Sequence, residues 1–248
     1  MLGVINVGQG NGVAGRLKKL TNLSRLGVTG LTIEEGQELC KSIGKLSRLQ
    51  RLEVRSDSLQ FLKEMDKSAI PRHLLSLRLC GNLDTLPEWI SSLNNLVKVK
   101  LLGTGLKQED IVHLQNLRNL ALLGLWESSY TEESLHFYTG TFPKLKFLDI
   151  DGLEKIEAVT IQEGAMPELE QLWVNKCKSL HDSEDGLSGV QYLLNLNELL
   201  LKKCGEKENL IEILQAQVNK HIRRPKFLIG KSILPTSPKL STSMTTEQ

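Results

Sequence analysis

Aromatic residues are scarce in this sequence, 4% of 248, although hydrophobic residues as a whole reach 40%. An interior of that composition is assembled from aliphatic side chains rather than rings. Charge of one sign is also missing: 31 Lys and Arg stand against 29 Asp and Glu, a formal net charge of +2. So small an excess makes no bulk electrostatic case for nucleic acid. No run approaches the ~18 continuous apolar residues of a membrane helix. The opening Met1-Leu2-Gly3-Val4-Ile5-Asn6-Val7 has neither a basic segment nor a long apolar one, so it is not a secretory signal. The expected location is cytoplasmic.

Catalytic patterns are absent as well. The five histidines, His73, His113, His136, His181 and His221, are scattered and form no HExxH pair. No G-x-S-x-G elbow surrounds a serine, and no G-x-x-x-x-G-K-[ST] loop occurs. The four cysteines, Cys40, Cys80, Cys177 and Cys204, include no CxxC. These absences argue against an enzyme, a resident metal or a cofactor.

What is present is leucine at a period of about 25 residues, inside the frame Leu-x-x-Leu-x-x-Leu-x-Leu/Val/Ile. Its third leucine falls at Leu26, Leu52, Leu77, Val99, Leu123, Leu148, Leu172 and Leu199, and one period earlier at Leu2. The spacing lies within the roughly 20–29 residues of a leucine-rich repeat. The final two apolar positions alternate with a residue the core does not need, as in Leu52-Glu53-Val54, which is the period of a half-buried strand. The expected architecture is an α/β solenoid: a leucine-rich-repeat horseshoe with a parallel concave sheet and irregular or short-helical convex returns. One unit cannot bury its leucines, but stacked units share a continuous core.

Residues 1–205 are expected to form this solenoid, about eight full repeats after a truncated first one. Met1 falls one residue before a frame leucine, so the chain opens in mid-repeat and resembles a piece of something longer. From Glu206 the apolar positions Leu210, Ile211, Leu214, Val218 and Ile222 follow a helical stripe, ended by Arg223-Arg224-Pro225. A capping helix over 206–224 is expected. Residues 225–248, rich in Ser, Thr, Pro and Lys beyond Lys231, read as a mostly disordered tail.

Against this ladder the string Gly10-Asn11-Gly12-Val13-Ala14-Gly15 is a decoy. It matches G-x-G-x-x-G, but no alternating βαβ pattern follows, so an inter-repeat loop is the better reading. Cys177 and Cys204 stand three residues after Val174 and Leu201, the slot held elsewhere by Asn82, Thr104 and Ser128. Small polar groups or thiols there can bond the turn leaving the strand. Buried reduced thiols are the plain expectation, although a Cys177–Cys204 bridge between adjacent repeats is conceivable.

Strands lie ~4.8 Å apart, so outward residues of successive frames form columns across the sheet. The N-terminal half carries Arg25, Arg51, Arg55, Arg78, Lys98 and Lys100; the C-terminal half carries Leu122, Trp126, Phe147 and Trp173, with Asp149 and Asp151 among them. Aromatics rimmed by charge have the composition of a protein-binding hot spot, so Trp126, Phe147, Asp149, Asp151, Trp173 and Leu122 are the expected partner-binding residues. The alternative is that these rings pack on their own neighbours. Arg51, Arg55, Arg78, Lys98 and Lys100 form a second candidate docking face, or simply a solvated one.

Some inter-repeat strings are more specific than leucine. Leu86-Pro87-Glu88-Trp89-Ile90 with Leu93-Asn94-Asn95-Leu96, the stretch from Tyr130 to Phe142-Pro143-Lys144-Leu145, and Gly164-Ala165-Met166-Pro167-Glu168-Leu169 with Cys177 and Leu180 form one set. Gly3-Val4, Leu17-Lys18-Lys19-Leu20 and Gly27-Val28 belong with them. The set resembles the leucine-rich-repeat region of plant nucleotide-binding disease-resistance proteins of the coiled-coil type, over roughly residues 1–205. The resemblance implies a receptor tail that senses a pathogen effector or a guarded host protein and helps hold the receptor off. It also implies a possible contact with the parent receptor's nucleotide-binding domain. The coiled coil and phosphate loop of that family are not found in these residues, so nucleotide switching is not implied for them. The competing expectation is a general scaffold or adaptor unrelated to immunity.

Overall fold

The computed structural model describes residues 4–6, 12–66 and 70–230, the first three as backbone alone. The first half of each leucine frame is a turn. Its three-residue spacing lets each amide reach back three residues: Leu46 N donates to the Ile43 carbonyl and Leu49 N to that of Leu46, at 2.9 and 3.0 Å. Where the spacing shortens to two, the chain extends.

In chain order the strands are β1 (Val4–Asn6), β2 (Arg25–Thr29), β3 (Arg51–Ser58), β4 (Ser76–Asn82), β5 (Lys98–Leu102) and β6 (Leu122–Trp126). There follow β7 (Ser134–Phe137), β8 (Phe147–Asp151), β9 (Ala158–Ile161), β10 (Gln171–Asn175), β11 (Leu187–Ser188), β12 (Glu198–Lys202) and β13 (Lys226–Ile229). Ten of them form one parallel sheet in the order β1-β2-β3-β4-β5-β6-β8-β10-β12-β13. In the large sheet, β3, β4, β5, β6, β8, β10 and β12 are each entered beneath a carbonyl of the preceding repeat that accepts two amides, as Ser24 O does from Gln50 and Arg51. The eight frame residues from Leu26 to Leu199 are all at most 2% exposed, and their inward neighbours from Val28 to Leu201 at most 3%.

The convex returns change character along the chain. The N-terminal ones are helical: α1 (Val13–Arg16), α2 (Ile33–Ile43), α3 (Glu88–Ser91) and α4 (Gln108–Leu114). Thr32 caps α2, its hydroxyl accepting from Glu35 N while the Glu35 carboxylate accepts from Thr32 N. The next three returns, expected to be irregular or short-helical, also carry short extended segments, the third followed by a 3-10 turn over Val190–Tyr192. β7, β9 and β11 build a second parallel sheet of three strands, burying Leu135, Phe137, Val159, Ile161 and Leu187. Leu-His-Phe and Val-Thr-Ile alternate at the strand period, and that alternation is the sequence signal for these strands.

Two expectations for the far end need correction. The capping helix, α5, spans Glu208–Lys220 and buries Leu210, Leu214 and Val218. Ile222 is outside it and 85% exposed, while His221 turns inward with Nε2 3.1 Å from the Leu193 carbonyl. The stretch expected to begin the tail is instead β13, paired in register with β12 from Glu198↔Lys226 to Leu201↔Ile229. A ladder edge left open by β12 offers four residues' worth of backbone partners, and Phe227 packs against the core from there. The tail from 231 onward, the frame leucine at Leu2, and Gly10 and Asn11 lie outside the described residues.

Candidate functional site

The in-register pairing turns the outward residues into three straight columns. The first runs Arg25, Arg51, Ser76, Lys98, Leu122, Phe147, Gln171, Glu198. The second runs Gly27, Glu53, Arg78, Lys100, Gly124, Asp149, Trp173, Leu200, and the third Thr29, Arg55, Cys80, Leu102, Trp126, Asp151, Asn175, Lys202. All eleven predicted face residues therefore share one sheet.

They do not all remain accessible. Leu122 and Phe147, expected as exposed contact residues, are buried at 6% and 7% exposure. Phe147 meets the Trp173 ring edge-to-face, centroids 4.6 Å apart, so one aromatic covers the other and only Trp173 faces outward. Trp173 Nε1 donates to Glu198 Oε1 at 2.7 Å, which fixes the indole plane. Glu198 is not among the expected face residues, and its place opposite Gln171, diagonal to Trp173, follows from the strand register.

Trp126 is fixed more firmly. Its Nε1 donates to Asp149 Oδ2 at 2.8 Å. Lys100 Nζ lies 4.5 Å and the Arg78 guanidinium carbon 5.2 Å from its ring centroid, both within cation–π range. Gly124 makes this possible: a Cβ there would come 3.3 Å from Trp126 Nε1 and 3.4 Å from Lys100 Cγ. The basic and aromatic halves of the face thus meet at one indole.

Asp151 accepts from Asn175 Nδ2 at 2.9 Å and lies 3.1 Å from Lys176 Nζ, which also reaches Glu127 at 3.4 Å. On the other half, Arg55 Nε pairs with Glu53 Oε1 at 2.6 Å. The third tryptophan, Trp89, is not on the face. It is buried, and its Nε1 donates to the Leu62 carbonyl at 2.8 Å, tying its return to the preceding one.

Burial is the main force raising the Asp149 carboxyl above its ordinary value, with Asp151 adding to it; the Trp126 hydrogen bond and Lys100 oppose it. The folded state therefore binds this proton more readily than the unfolded chain. Stability drawn from Asp149 should rise as pH falls into the window between the ordinary aspartate pKa and the raised one, and decline as pH climbs through it. Asp149→Asn keeps an acceptor for the indole but should flatten that part of the curve, a comparison that urea melts at pH 4 to 7 would decide.

All four cysteines are free and buried. Cys204 Sγ bonds the Lys202 carbonyl and Cys177 Sγ that of Asn175, both at 3.3 Å. Burial pushes the thiols of Cys40 and Cys177 up to about 12, and raises that of Cys204. The same slot in other repeats is less uniform. Thr104 is buried and bonds the Ser129 carbonyl at 3.1 Å, but Asn82 and Ser128 are exposed, and Ser129 takes the inner place.

Among the described residues no group of His, Cys, Asp and Glu is arranged to hold a metal, and no helix is long and apolar enough to cross a membrane. The hollow beside Gly12 and Gly15, about 430 Å³, is lined by Glu34, Glu35 and Glu38. Three carboxylates are the wrong chemistry for a pyrophosphate.

The family model described as a leucine-rich repeat region matches residues 1–227. The chain belongs to the leucine-rich repeat family. Its curated relatives are plant disease-resistance proteins, as the inter-repeat strings imply. Disease resistance protein RPM1 of Arabidopsis thaliana is 32% identical over 182 residues, 73% of this leucine-rich repeat chain and 19% of that protein. Disease resistance protein PIK6-NP of Oryza sativa subsp. japonica is 28% identical over 266 residues, 92% of this chain and 24% of that protein. Disease resistance protein Pik-2 of the same rice is 26% identical over the same shares. The chain spans about a fifth to a quarter of the length of these relatives.

Proposed function

We propose that this chain is a non-enzymatic, cytoplasmic recognition module of a plant immune receptor. Its concave face senses a pathogen effector or a host protein that an effector modifies, and its contacts help hold the receptor off. The observation that carries this reading is the pair of outward indoles, Trp126 and Trp173, each held by a carboxylate through Nε1 at 2.8 and 2.7 Å. Amphipathic rings fixed before a partner arrives lose little freedom on binding, which is how aromatic anchors dominate interfaces. The disease-resistance relatives supply the biological setting. The basic half of the face is a second docking surface, for an acidic patch such as one on the parent receptor's nucleotide-binding domain.

The test is a receptor carrying this chain, expressed in leaf tissue with its matching effector. Trp173→Ala should abolish the effector-dependent response at unchanged protein level, while Arg51→Glu should release a response without effector. A Trp173→Ala receptor that still responds fully would refute the recognition face.

A further inference from the structure

The N-terminal half of the concave face is short of anions in a specific place. Across β2 to β5 the three columns hold Arg25, Arg51, Arg55, Arg78, Lys98 and Lys100, and one carboxylate, Glu53; the exposed Asp57 lies past the columns, in the bulge of β3. That carboxylate is committed: its Oε1 takes Arg55 Nε at 2.6 Å. Arg78 Nε lies 3.7 Å from the same oxygen and, although buried, has no hydrogen-bond acceptor. Lys100 makes no ion pair among the described residues, and its ammonium is pushed below its ordinary pKa first by burial and further by Arg78 and Lys98, against the pull of Asp149. Asp149, the opposing charge, is engaged by the Trp126 indole.

Arg78 and Lys100 are directly opposite each other in the ladder. Like charges so placed destabilise a sheet, and burying an unpaired donor costs more. The two cations are nevertheless gathered over one ring, 5.2 and 4.5 Å from the Trp126 centroid. The neighbouring first column, Arg25, Arg51 and Lys98, has no ion pair among the described residues, whereas Arg78 has only the long contact with Glu53.

We propose that Arg78 and Lys100, gathered over the Trp126 ring, form the seat for a carboxylate side chain of an acidic polypeptide segment that crosses β2 to β5. This deepens the docking reading above and rests on it for the use of that surface. The carboxylate meets the accessible part of the Arg78 side chain, which is 32% exposed although its Nε is covered, and separates the two cations. Four strands at ~4.8 Å spacing are spanned by roughly five residues of extended chain, so further acidic side chains reach Lys98, Arg51 and Arg25. A polyphosphate chain is the poorer occupant: past β6 the same face turns acidic, at Asp149 and Asp151 in β8 and at Glu198 in β12, and the chain's net charge is +2.

The experiment titrates the intact chain with a blocked five-glutamate peptide, its glutamine counterpart and inorganic phosphate, by calorimetry and tryptophan emission. The glutamate peptide should bind, weaken with salt and shift the emission; the glutamine peptide should do neither. Arg78→Gln and Lys100→Met should each weaken binding about tenfold or more, the loss of one charged hydrogen bond, at a melting temperature equal to or above that of the parent chain. Trp126→Phe should erase the emission shift and leave binding largely in place. Binding unaffected by Arg78→Gln and Lys100→Met, or phosphate binding as tightly as the peptide at the same residues, would overturn the assignment. Trp173→Ala should leave peptide binding intact, so a failed recognition face and a failed carboxylate seat give different results.

Discussion

Leu148→Asp should split the solenoid at its centre. Leu148 is fully buried in β8, whose two neighbours, β6 and β10, are both hydrogen-bonded to it. Removing a leucine from this core forfeits about 1.5–3 kcal/mol of burial. An aspartate in its place is an unpaired buried charge, which adds several kcal/mol more. The sum equals a large part of a domain's total stability, about 5–15 kcal/mol. In a stack where each unit touches its neighbours alone, the damage is local first: β6, β8 and β10 should lose hydrogen-exchange protection while β2 and β3 keep theirs longest. The control is Leu194→Asp. Leu194 occupies the x position of a frame turn and is 62% exposed, so its replacement should change the urea midpoint little. Equal midpoints for the two variants would mean that the frame does not build the core.

That contrast measures what the sequence discloses. Leu148 and Leu194 are both leucines within a repeat, and the frame alone tells them apart. The frame works because two geometries, a turn at spacing three and a strand at spacing two, are written in the same nine residues. The columns of the concave face follow from the register, so the repeat spacing by itself sets Arg78, Lys100, Trp126 and Asp149 side by side. What the frame cannot show is which outward residue is covered by its neighbour. Phe147 disappears beneath Trp173 because a large ring in one strand leans across to the next. Gly124 decides the fate of Trp126 by being small, a fact carried by a residue with no side chain. β13 was hidden because His221 and Arg224 hold the places of the first two leucines, leaving Phe227 and Ile229 without their frame.

Gly81→Ala should be the most damaging small substitution. Gly81 has φ +132, which L side chains rarely adopt, and a Cβ there would lie 1.6 Å from the Ser56 carbonyl oxygen. The close approach belongs to a bulge: between Arg55↔Cys80 and Ser58↔Asn82, two residues of β3 oppose Gly81 alone in β4. Neither backbone can yield cheaply. The Ser56 hydroxyl is bonded to the Leu31 carbonyl at 2.9 Å, and Leu59 N to that of Asn82 at 2.7 Å. Relieving the clash means pulling β4 from β3, at a cost above about 4 kcal/mol, which for a chain of this size lowers Tm by roughly 10 °C or more. Gly140→Ala separates clash from conformation: Gly140 also has positive φ, +77, but no atom lies within 4 Å of its added Cβ. It should lose only the ~1–2 kcal/mol of left-handed strain. If both variants melt together, the bulge is not the constraint. If Gly81→Ala alone collapses, Arg55 and Arg78 go with it, and the acidic peptide should lose its seat. Trp173, far along the sheet from β4 and held by Glu198, should then keep its place.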